Sequence, residues 1–532
     1  MKDRFFGFRL IWVLSVAVLL LFPFGGCEDS AGGSGSSAGG RYDDDDAADM
    51  DDDTWAGDDT ADDDAGSADD DGAADDDTPV PPEEDMEPGT YPQVCQGAVY
   101  VLASDYDFVS RIDAETLEIK TITVGREPKI LTATPDCSQL LTLNAKDDSV
   151  SIISLPGNEV QTLDIRPGLN SLAVSPSGNY ALAYYSFTDD GQDYQGYGEI
   201  SIVDLRDRTV RSLAVGFPPD SVLYTNDERA LLVSTTILGL VRLTDGHFET
   251  LPTGLDIDAG QRIRKAAVSA DSSYAFILAE AATDLLSIDL SSLEIEELEL
   301  GCYPTDMDVA AEGDITLLLC RGTGQILVLD NGDLSLDAYE TDEVVGSGEL
   351  TADGRQAVLF TNSESIERVH LFSPADGKLT TYYTVKPLVG AAIAPDDRTA
   401  VLFHEGGDGQ PLDDFDQYFD GQEAISIFNL KNGLINPVET AVRATTVSFG
   451  SDGHYAVVPQ PNRQKLLLLD LQRGLVDVLA TPSLPLDAGL IDDLALVYVL
   501  QDHPLGRISF FDTQTLAVRT VTGFLLNGQI GE

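Results

Sequence analysis

The sequence predicts an all-β protein, a single β-propeller of about ten four-stranded blades. From residue 96 onward, a polar turn followed by short apolar strands recurs at intervals of 40 to 56 residues. Each interval contains four strand-like stretches separated by turn residues, which is the repeat of a propeller blade. A first unit without its opening turn, residues 98–124, brings the count to ten, and seven or eight regular blades plus divergent strands is the alternative. The other units begin at Thr134, Ser175, Thr225, Ser269, Ala310, Thr351, Ala394, Gly450 and Leu490.

The first 26 residues have the composition of a secretory signal peptide. Three basic residues precede an apolar run of thirteen residues, 10–22, which is too short to span a bilayer. The next residues, FGGC at 24–27, resemble a bacterial lipobox, which implies that the leader is removed and that Cys27 is acylated. A lipoprotein held on a membrane by its acyl chains is therefore expected, and Glu28 after the cysteine indicates the outer membrane. Ordinary secretion with Cys27 as a free thiol is the alternative.

Residues 27–94 are predicted to form a disordered acidic tether. Between residues 28 and 94 there are 25 Asp and Glu residues and one base, Arg41. Like charges repel, and the segment has little apolar surface for a core, so it is expected to be extended. Specific calcium binding is the alternative, but the spacing of an EF-hand loop is absent. We expect a solvated spacer between the membrane and the propeller, residues 95–532.

Local signals explain the strands and turns of each unit. The first two strands are almost continuously apolar, as in YAFI at 274–277, which is typical of strands buried between blades. The outer strand alternates with charges, as in EIKTI at 118–122, and should face solvent. Gly178, Gly354 and Gly453 lie in the earlier turn, where a positive φ is expected. An Asp that we interpret as a turn former rather than a ligand ends the third strand at Asp113, Asp204, Asp289, Asp330, Asp470 and Asp512.

The charge of the chain limits its partners. The whole protein carries a formal charge of -61, and the propeller itself has 66 acidic and 27 basic residues. Such a surface repels phosphate backbones, so nucleic acid is not expected as a partner. Cationic partners and divalent ions remain compatible with this charge.

Four cysteines lie in the propeller, in a setting that is expected to be exported and oxidising. Cys302 and Cys320 flank one turn symmetrically, so hairpin pairing places them within disulfide reach. Cys95 and Cys137 lie at nearly equivalent places in the first two repeats, and a bridge there would fix the start of the domain. Metal binding is the alternative, although no CxxC or HxxxH spacing accompanies them. Residues 524–526 (FLL) are a candidate last strand for closing the ring.

Two units are longer than the rest because of insertions between their second and third strands. The insertions, residues 187–199 and 404–423, fall five units apart and would stand opposite each other in a ten-bladed ring. Insertions on one face of a repeat protein often mark its binding face. We predict that these loops bind a partner or Ca²⁺, and ordinary solvated loops are the alternative. The candidate ligands are Asp189, Asp190, Asp193, Glu199, Asp408, Asp413, Asp414, Asp416 and Asp420.

Three segments carry a resemblance to a known class of repeat. They are SPSGNYA at 175–181, SDGHYAV at 451–457 and ISFFDTQT at 508–515. These segments resemble the YVTN-type repeats of secreted and surface propellers, which are related to WD-repeat and lactonase-like propellers. The resemblance is architectural and covers most of residues 96–532. It implies a propeller that serves as a binding platform, and it carries no catalytic residue.

The sequence favours a function without catalysis. The five histidines lie in different units, and the propeller contains no G-x-S-x-G, H-E-x-x-H or phosphate-binding glycine loop. Trp12 and Trp55 both precede the propeller, whereas quinoprotein propellers typically stack their cofactor on Trp. We predict a monomeric, lipid-anchored propeller of the bacterial cell envelope that binds or scaffolds a protein, glycan or envelope component without a cofactor. A periplasmic lactonase-like hydrolase with a metal in the central channel is the alternative.

Overall fold

The structure is a computed structural model that describes residues 92–186, 198–362, 365–406 and 414–526, without the side chains of residues 414–416. The chain folds into ten antiparallel sheets of four strands each. The sheets are the blades of one propeller, so the predicted count of ten is confirmed and the alternative of seven or eight is excluded. Helix is confined to one six-residue helix and two short 3-10 turns in this part of the chain.

Blades 1 to 5 follow one another along the first half of the propeller. Their strands are β1 (Gln93–Cys95), β2 (Ala98–Ala103), β3 (Phe108–Asp113), β4 (Ile119–Thr123); β5 (Pro128–Ala133), β6 (Gln139–Asn144), β7 (Ser149–Ser154), β8 (Glu159–Asp164); β9 (Ser171–Val174), β10 (Tyr180–Tyr184), β11 (Glu199–Asp204), β12 (Thr209–Ala214); β13 (Ser221–Tyr224), β14 (Arg229–Val233), β15 (Ile237–Arg242), β16 (Phe248–Pro252); β17 (Ile263–Val268), β18 (Tyr274–Ala279), β19 (Asp284–Asp289) and β20 (Ile295–Glu299). A 3-10 turn, Ile257–Ala259, lies between blades 4 and 5.

Blades 6 to 10 complete the ring. Their strands are β21 (Asp306–Val309), β22 (Ile315–Cys320), β23 (Gln325–Asp330), β24 (Leu336–Glu340); β25 (Ser347–Leu350), β26 (Ala357–Phe360), β27 (Arg368–Ser373), β28 (Lys378–Tyr383); β29 (Leu388–Ile393), β30 (Thr399–His404), β31 (Glu423–Asn429), β32 (Ile435–Thr440); β33 (Ser448–Phe449), β34 (Tyr455–Gln460), β35 (Lys465–Asp470), β36 (Leu475–Ala480); β37 (Pro485–Ile491), β38 (Leu496–Gln501), β39 (Arg507–Asp512) and β40 (Val518–Thr522). Helix α1 (Asp414–Phe419) lies in blade 8, and the second 3-10 turn, Asp492–Leu494, lies in blade 10.

Within every blade the spatial order of the strands is their order in the chain. The first strands of neighbouring blades, such as β21 and β25, contact each other, so they surround the axis of the ring. The second and third strands are buried between blades, as the fully buried β2 shows, and the fourth lies on the rim, where β8 is mostly exposed. The expected apolar inner strands and solvent-facing outer strands are confirmed.

The strand order gives the ring two different faces. The connection face carries the segments between blades, such as residues 300–305, and the loops between second and third strands, such as 321–324. The turn face carries the turns between first and second strands, such as 310–314, and between third and fourth strands, such as 331–335. The strand ends that the two long insertions connect, in blades 3 and 8, therefore lie on the connection face.

The ring closes by packing blade 10 directly against blade 1. Ser110 donates a hydrogen bond from Oγ to the carbonyl oxygen of Phe524 at 2.7 Å. The guanidinium of Arg519 donates to the carbonyl oxygens of Ala114 and Glu115, each at 2.7 Å. No strand is exchanged between the two blades. The buried apolar residues at this boundary include Val99, Ile112, Leu496, Tyr498, Phe510 and Phe524.

Residues 524–526 do not form the last strand that the sequence suggested. Blade 10 already has its fourth strand, β40, which ends at Thr522. Gly523 has φ +110°, and the chain turns at this point. Phe524 therefore fills the boundary core as a single side chain, only 2% exposed, rather than as part of a strand.

Two disulfides join neighbouring parts of the ring. Cys95 in the first strand is bonded to Cys137 in the first turn of blade 2, with a Cα–Cα distance of 5.4 Å. Cys302, in the segment that leads into blade 6, is bonded to Cys320 at the end of β22, with a Cα–Cα distance of 6.1 Å. The first bond ties the short strand β1 to the neighbouring blade.

The aspartates at the ends of the third strands form turns, as predicted from the sequence. Asp113 Oδ1 accepts hydrogen bonds from the backbone N–H groups of Glu115 and Thr116. The same contacts to the second and third residues beyond the aspartate occur at Asp204, Asp289, Asp330 and Asp512, and Asp470 accepts from the third residue. These carboxylates satisfy backbone donors that the strands leave free.

The earlier turn of each blade has a residue in the left-handed region. Gly178, Gly354 and Gly453 have φ between +67° and +70°, which confirms the expected positive φ. Other blades place a residue with a side chain there, including Glu228 with φ +62° and Ser272 with φ +61°. A left-handed conformation costs a residue with a Cβ about 1–2 kcal/mol, so an interaction must offset this cost.

The offsetting interactions run from these left-handed residues to the preceding blade. Ser272 Oγ accepts a hydrogen bond from the N–H of Asn226 at 2.9 Å. Asp397, with φ +59°, accepts from the N–H groups of Ala352 and Asp353 at 2.8 and 3.2 Å. The turn face therefore has polar bridges between blades that no local sequence pattern revealed.

Replacing Asp397 tests one of these bridges. Asp397→Ala is expected to lower the free energy of unfolding by about 2 kcal/mol, because both hydrogen bonds are lost and the left-handed strain remains. Asp397→Gly is expected to cost about 1 kcal/mol less than the Ala variant, since Gly adopts the positive φ without strain. Equilibrium unfolding in denaturant measures both values, and equal losses in the two variants would contradict the strain argument.

Candidate functional site at the hub and on the connection face

Charged side chains of blades 5, 6 and 7 meet around the axis of the ring, in a region that we call the hub. Lys265 on β17 extends its Nζ to within 3.3 Å of Asp306 Oδ1 on β21. The other oxygen of Asp306 accepts a hydrogen bond from the N–H of Gly348 on β25 at 3.1 Å. Asp308 Oδ2 accepts from the N–H of Leu350 at 2.7 Å. Asp306 thus joins blades 5, 6 and 7, and Asp308 joins blades 6 and 7.

The reason for this arrangement is the free edge of each first strand. A first strand pairs with only one neighbour in its blade, so half of its N–H groups point toward the axis without a partner. The carboxylates of blade 6 accept hydrogen bonds from two of these donors on β25. Asp306 and Asp308 consequently hold neighbouring blades together. This role could not be predicted from the sequence, because the residues of β21 have the pattern of an ordinary short strand.

The hub also contains a carboxyl group with a strongly raised pKa. Burial, and then the negative charge of Asp308, raises the pKa of Glu349 to about 8. Burial raises the pKa of Asp308 to about 6, against the opposing effect of Lys265. Glu349 is therefore largely protonated at neutral pH, while the Lys265 side chain stays 44% exposed to the channel. In the described part of the chain, no three His, Cys, Asp or Glu side chains are grouped to hold a metal ion.

The insertion of blade 8 is fixed to the connection face by a fully buried lysine. Phe419 at the end of α1 packs against Val385 and Ala424. Lys386 is 0% exposed, and its Nζ donates a hydrogen bond to the carbonyl oxygen of Gln422 at 2.6 Å. The segment before blade 8 thereby holds the C-terminal end of the insertion in place.

A buried histidine supports the same segment. His404 Nδ1 lies 2.9 Å from the carbonyl oxygen of Lys386, which can only accept, so Nδ1 carries the proton. Its Nε2 accepts from the hydroxyl of Ser426 at 2.7 Å. Burial lowers the pKa of His404 to about 4, which keeps the ring neutral at physiological pH. This histidine has a structural role in fixing the loop.

Lys386→Met is expected to loosen the insertion of blade 8. The substitution removes the ammonium group and leaves the carbonyl oxygen of Gln422 without its donor, at a cost of about 2 kcal/mol. Amide hydrogen exchange should accelerate at residues 417–423, while the exposed control Lys378→Met leaves it unchanged. Unchanged protection of residues 417–423 in Lys386→Met would contradict the assigned role.

The structure describes only some of the predicted loop ligands. Glu199 begins β11 and forms an ion pair with Arg166, in the segment between blades 2 and 3. Asp420 follows α1, and its Oδ1 is buried without a hydrogen-bond partner among the described residues, as is Oε2 of Glu423. Asp414 and Asp416 lie on α1, with side chains outside the description. The remaining candidates, Cys27, Asp189, Asp190, Asp193, Asp408 and Asp413, lie outside the described residues.

Three tyrosines on the connection face expose most of their side chains. Tyr303, Tyr383 and Tyr418 are 66%, 67% and 58% exposed. The Arg368 guanidinium lies 5.7 Å from the ring centroid of Tyr383. The Tyr418 hydroxyl donates to Glu439 at 2.6 Å. Exposed aromatic rings with fixed positions are typical of binding surfaces. Tyr418 belongs to the predicted binding insertion 404–423, whereas Tyr303 and Tyr383 were not singled out from the sequence.

A depression of about 610 Å³ lies beside Tyr303. Its walls come from the segments that enter blades 6 and 7 and from the loop between β22 and β23. The Cys302–Cys320 disulfide fixes two of these walls, since Tyr303 and Arg321 directly follow the two cysteines. Tyr303, Thr305, Arg321, Gly322, Thr323 and Val344 line the depression.

Comparison with known proteins adds only distant structural similarities. No protein-family profile matches the chain. No curated protein matches it either.

In the part of the chain that the structure describes, no helix has the length and apolarity needed to cross a membrane.

Several solved structures resemble the fold at low sequence identity. Dihydro-heme d1 dehydrogenase NirN in complex with DHE is 12% identical with a TM-score of 0.41, over 73% of this chain and 73% of that one. A eukaryotic initiation factor is 13% identical with a TM-score of 0.48, over 71% of this chain and 96% of that one. Hydrazine synthase of Kuenenia stuttgartiensis is 15% identical with a TM-score of 0.30, over 58% of this chain and 98% of that one. At these values the similarities carry no argument about function. The chain is a single ten-bladed β-propeller, a fold consistent with a binding or scaffold module.

Proposed function

We propose that this protein is a non-enzymatic binding or scaffold module of the bacterial cell envelope, with the connection face as its binding surface. The partner is a protein, a glycan or another envelope component. The observation that carries this proposal is the composition of the connection face. It bears both long insertions, three well-exposed tyrosines and the depression beside Tyr303.

The scaffold supports recognition because the blades hold the binding loops rigidly. The buried side chain of Lys386 anchors the blade 8 insertion, and the Cys302–Cys320 disulfide fixes the depression. Loops held in this way lose less entropy on binding, which increases affinity. The sheets beneath them are antiparallel and fully paired within each blade, apart from their inner and outer edges.

The lipobox-like sequence that ends at Cys27 and the acidic segment after it support an anchored location. The proposal is an outer-membrane lipoprotein, monomeric and not bound to nucleic acid, with the YVTN-type repeat as its building unit. The chain enters the propeller at β1 on the connection face.

The binding proposal is tested by crosslinking and affinity capture from membranes. The full chain is compared with a variant in which Tyr303, Tyr383 and Tyr418 are all Ala. A matched control replaces the exposed turn-face residues Leu434 and Leu475, 65% and 57% exposed, with Ala. The connection-face variant should lose the captured partner, while the control keeps it. Repeating the capture with added calcium and with a chelator tests whether Ca²⁺ takes part in binding. Equal capture of the partner by the wild type, the connection-face variant and the control would reject the connection face as the binding surface.

Cys27→Ser is expected to release the protein from membranes. Without the cysteine no acyl chain can be attached, and each buried CH₂ of such a chain contributes about 0.8 kcal/mol to membrane binding. Fractionation should show a shift from the membrane pellet to the soluble fraction, together with loss of radiolabelled palmitate. Ser34→Ala, close to Cys27 in the chain, serves as the control and should stay in the pellet, and retention of Cys27→Ser in the pellet would contradict acylation.

A further inference from the structure

The depression beside Tyr303 differs in charge from the rest of the propeller. Acidic residues outnumber basic ones by 66 to 27 in the propeller, yet the only charged residue in the lining is a base, Arg321. None of the six lining residues belongs to a strand, so the depression offers no strand edge to an extended peptide. Its volume of about 610 Å³ is typical of pockets that bind small molecules.

The guanidinium of Arg321 is held in one place at this depression. Its Nη2 donates a hydrogen bond to Asn362 Oδ1 at 2.8 Å. Gly346 lies directly against it, and a Cβ at this glycine would overlap the guanidinium. Thr305 is fixed as well, since its hydroxyl lies 3.0 and 2.9 Å from the carbonyl oxygens of Leu319 and Gly346. A guanidinium in a fixed position suits a planar carboxylate, which it can bind through two N–H groups.

A second arginine borders the depression from blade 5. Arg264 is the extra residue of a β-bulge in β17, and bulges redirect side chains away from the regular pattern of a strand. Its Nη2 donates to the carbonyl oxygen of Pro304 at 3.1 Å. Pro304 adjoins both Tyr303 and Thr305 of the lining. The Arg264 guanidinium therefore lies against one wall of the depression.

The charge of Arg264 is not compensated by a carboxylate in direct contact. Among the described residues Arg264 forms no ion pair, and its side chain remains accessible to solvent. Partial burial lowers its pKa, and the charges of Asp306 and Glu280 oppose this effect only in part. Asp306 is already paired with Lys265. In a propeller with more than two acidic residues for each basic one, a partly buried guanidinium without an ion pair points to an anion that a ligand supplies.

The acidic residues closest to the lining in the chain do not cancel this positive charge. Glu343, which precedes Val344 of the lining, is paired with Arg368 at 2.8 Å. Asp342 is exposed and does not line the depression. Exposed charges farther away act weakly, because salt at 0.1 M screens them beyond about 10 Å. The negative charge of the whole propeller is therefore compatible with a short anionic ligand.

We propose that the depression binds a sugar that carries a carboxylate, as part of an acidic glycan. The Tyr303 ring, which is 66% exposed, packs against the C–H face of the sugar ring. Arg321 and Arg264 donate hydrogen bonds to the carboxylate. This inference rests on the proposed function, in which the connection face is the binding surface, and it names the class of the partner.

Calorimetric titration of the full chain, purified in detergent, with trigalacturonate tests the proposal. One molecule is expected to bind per chain. The methyl ester of trigalacturonate keeps the sugar rings but has no charge, so it should bind about tenfold more weakly because charge-assisted hydrogen bonds are lost. Absence of binding, equal affinity for the ester, or binding of inorganic phosphate as tight as that of trigalacturonate would overturn the proposal.

Single substitutions locate the bound sugar. Tyr303→Ala and Arg264→Gln should each weaken the binding of trigalacturonate about tenfold. Both side chains are exposed, so the two variants should unfold near the wild-type temperature. The matched controls are Tyr418→Ala on blade 8, where the tyrosine is 58% exposed, and Arg355→Gln on the turn face, where the arginine is 83% exposed. Both controls should bind as the wild type does, and equal weakening in Arg264→Gln and Arg355→Gln would reject the site.

The titration and the membrane capture can fail separately. The expected result is that the triple tyrosine variant loses its captured partner and that Tyr303→Ala weakens the binding of trigalacturonate. If the triple variant loses its partner but the wild type does not bind trigalacturonate, the acidic sugar is rejected while the connection face remains the binding surface.

Discussion

Glu349→Gln is expected to remove a large part of the pH dependence of stability above pH 6. In the wild type the pKa of Glu349 rises from 4.5 to about 8 on folding, chiefly through burial and then through the charge of Asp308. Between these two pH values the folded protein holds a proton that the unfolded chain has released. Stability therefore falls as the pH rises from about 4.5 to about 8, and it levels off above that.

The size of this effect follows from the shift in pKa. Each pKa unit corresponds to about 1.4 kcal/mol, so the loss across the whole window is at most about 5 kcal/mol, and solvent screening reduces it because Glu349 is only partly buried. Glutamine cannot ionise, so Glu349→Gln should unfold at a higher free energy than the wild type at pH 8 and near the same value at pH 4.5. Asp308, with a pKa raised to about 6, keeps its own slope at lower pH in the variant.

Equilibrium unfolding in denaturant from pH 4 to pH 9 measures this difference. Glu340→Gln, on the exposed outer strand of blade 6, is the matched control and should follow the wild-type curve. Parallel profiles for Glu349→Gln and the wild type would show that Glu349 ionises at the same pH in both states, and would reject the charged hub as a source of pH sensitivity.

Phe524→Ala is expected to open the boundary between blades 10 and 1. The Phe524 side chain is only 2% exposed and lies in the core that the two blades share. Removing a buried Phe ring typically costs about 3–5 kcal/mol, because apolar contacts are lost and a cavity remains. No exchanged strand supports this boundary, so the loss should not remain local.

The readout that separates ring closure from ordinary core damage is amide hydrogen exchange. Leu290→Ala, a buried substitution at the boundary of blades 4 and 5, should cost a comparable free energy. Only Phe524→Ala is expected to accelerate exchange in β3 and β39, next to the closing contacts. Similar exchange patterns in the two variants would show that the boundary has no special weakness.

The sequence predicts those parts of the fold that depend on local patterns. Apolar inner strands, turn-forming aspartates and positive-φ glycines each depend on a few adjacent residues, and all three are confirmed around the ring. The closing contact of Phe524 could not be predicted, because it depends on packing against residues about 400 positions earlier. The suggestion of a last strand at 524–526 was wrong for the same reason, since an apolar run does not reveal that β40 already completes blade 10.

The candidate site was predictable only in outline. The positions of the two insertions opposite each other follow from counting units. The hub could not be found in this way, because Lys265, Asp306 and Glu349 belong to three different units that meet only around the axis. The role of Lys386 could not be predicted either, because a lysine in a polar connecting segment is expected to be exposed. Only the folded chain buries it beneath the insertion.

The order of strands within the sheets has a consequence for how such a ring can change over generations. Every blade is formed by one uninterrupted segment of sequence, here called a cassette. Blades 10 and 1 meet at a boundary, here called the seam, across which no strand is exchanged. Gain or loss of a whole cassette would therefore leave each remaining sheet intact. A circular permutant whose new ends fall between two cassettes should likewise retain all ten sheets, with the old seam becoming an ordinary junction.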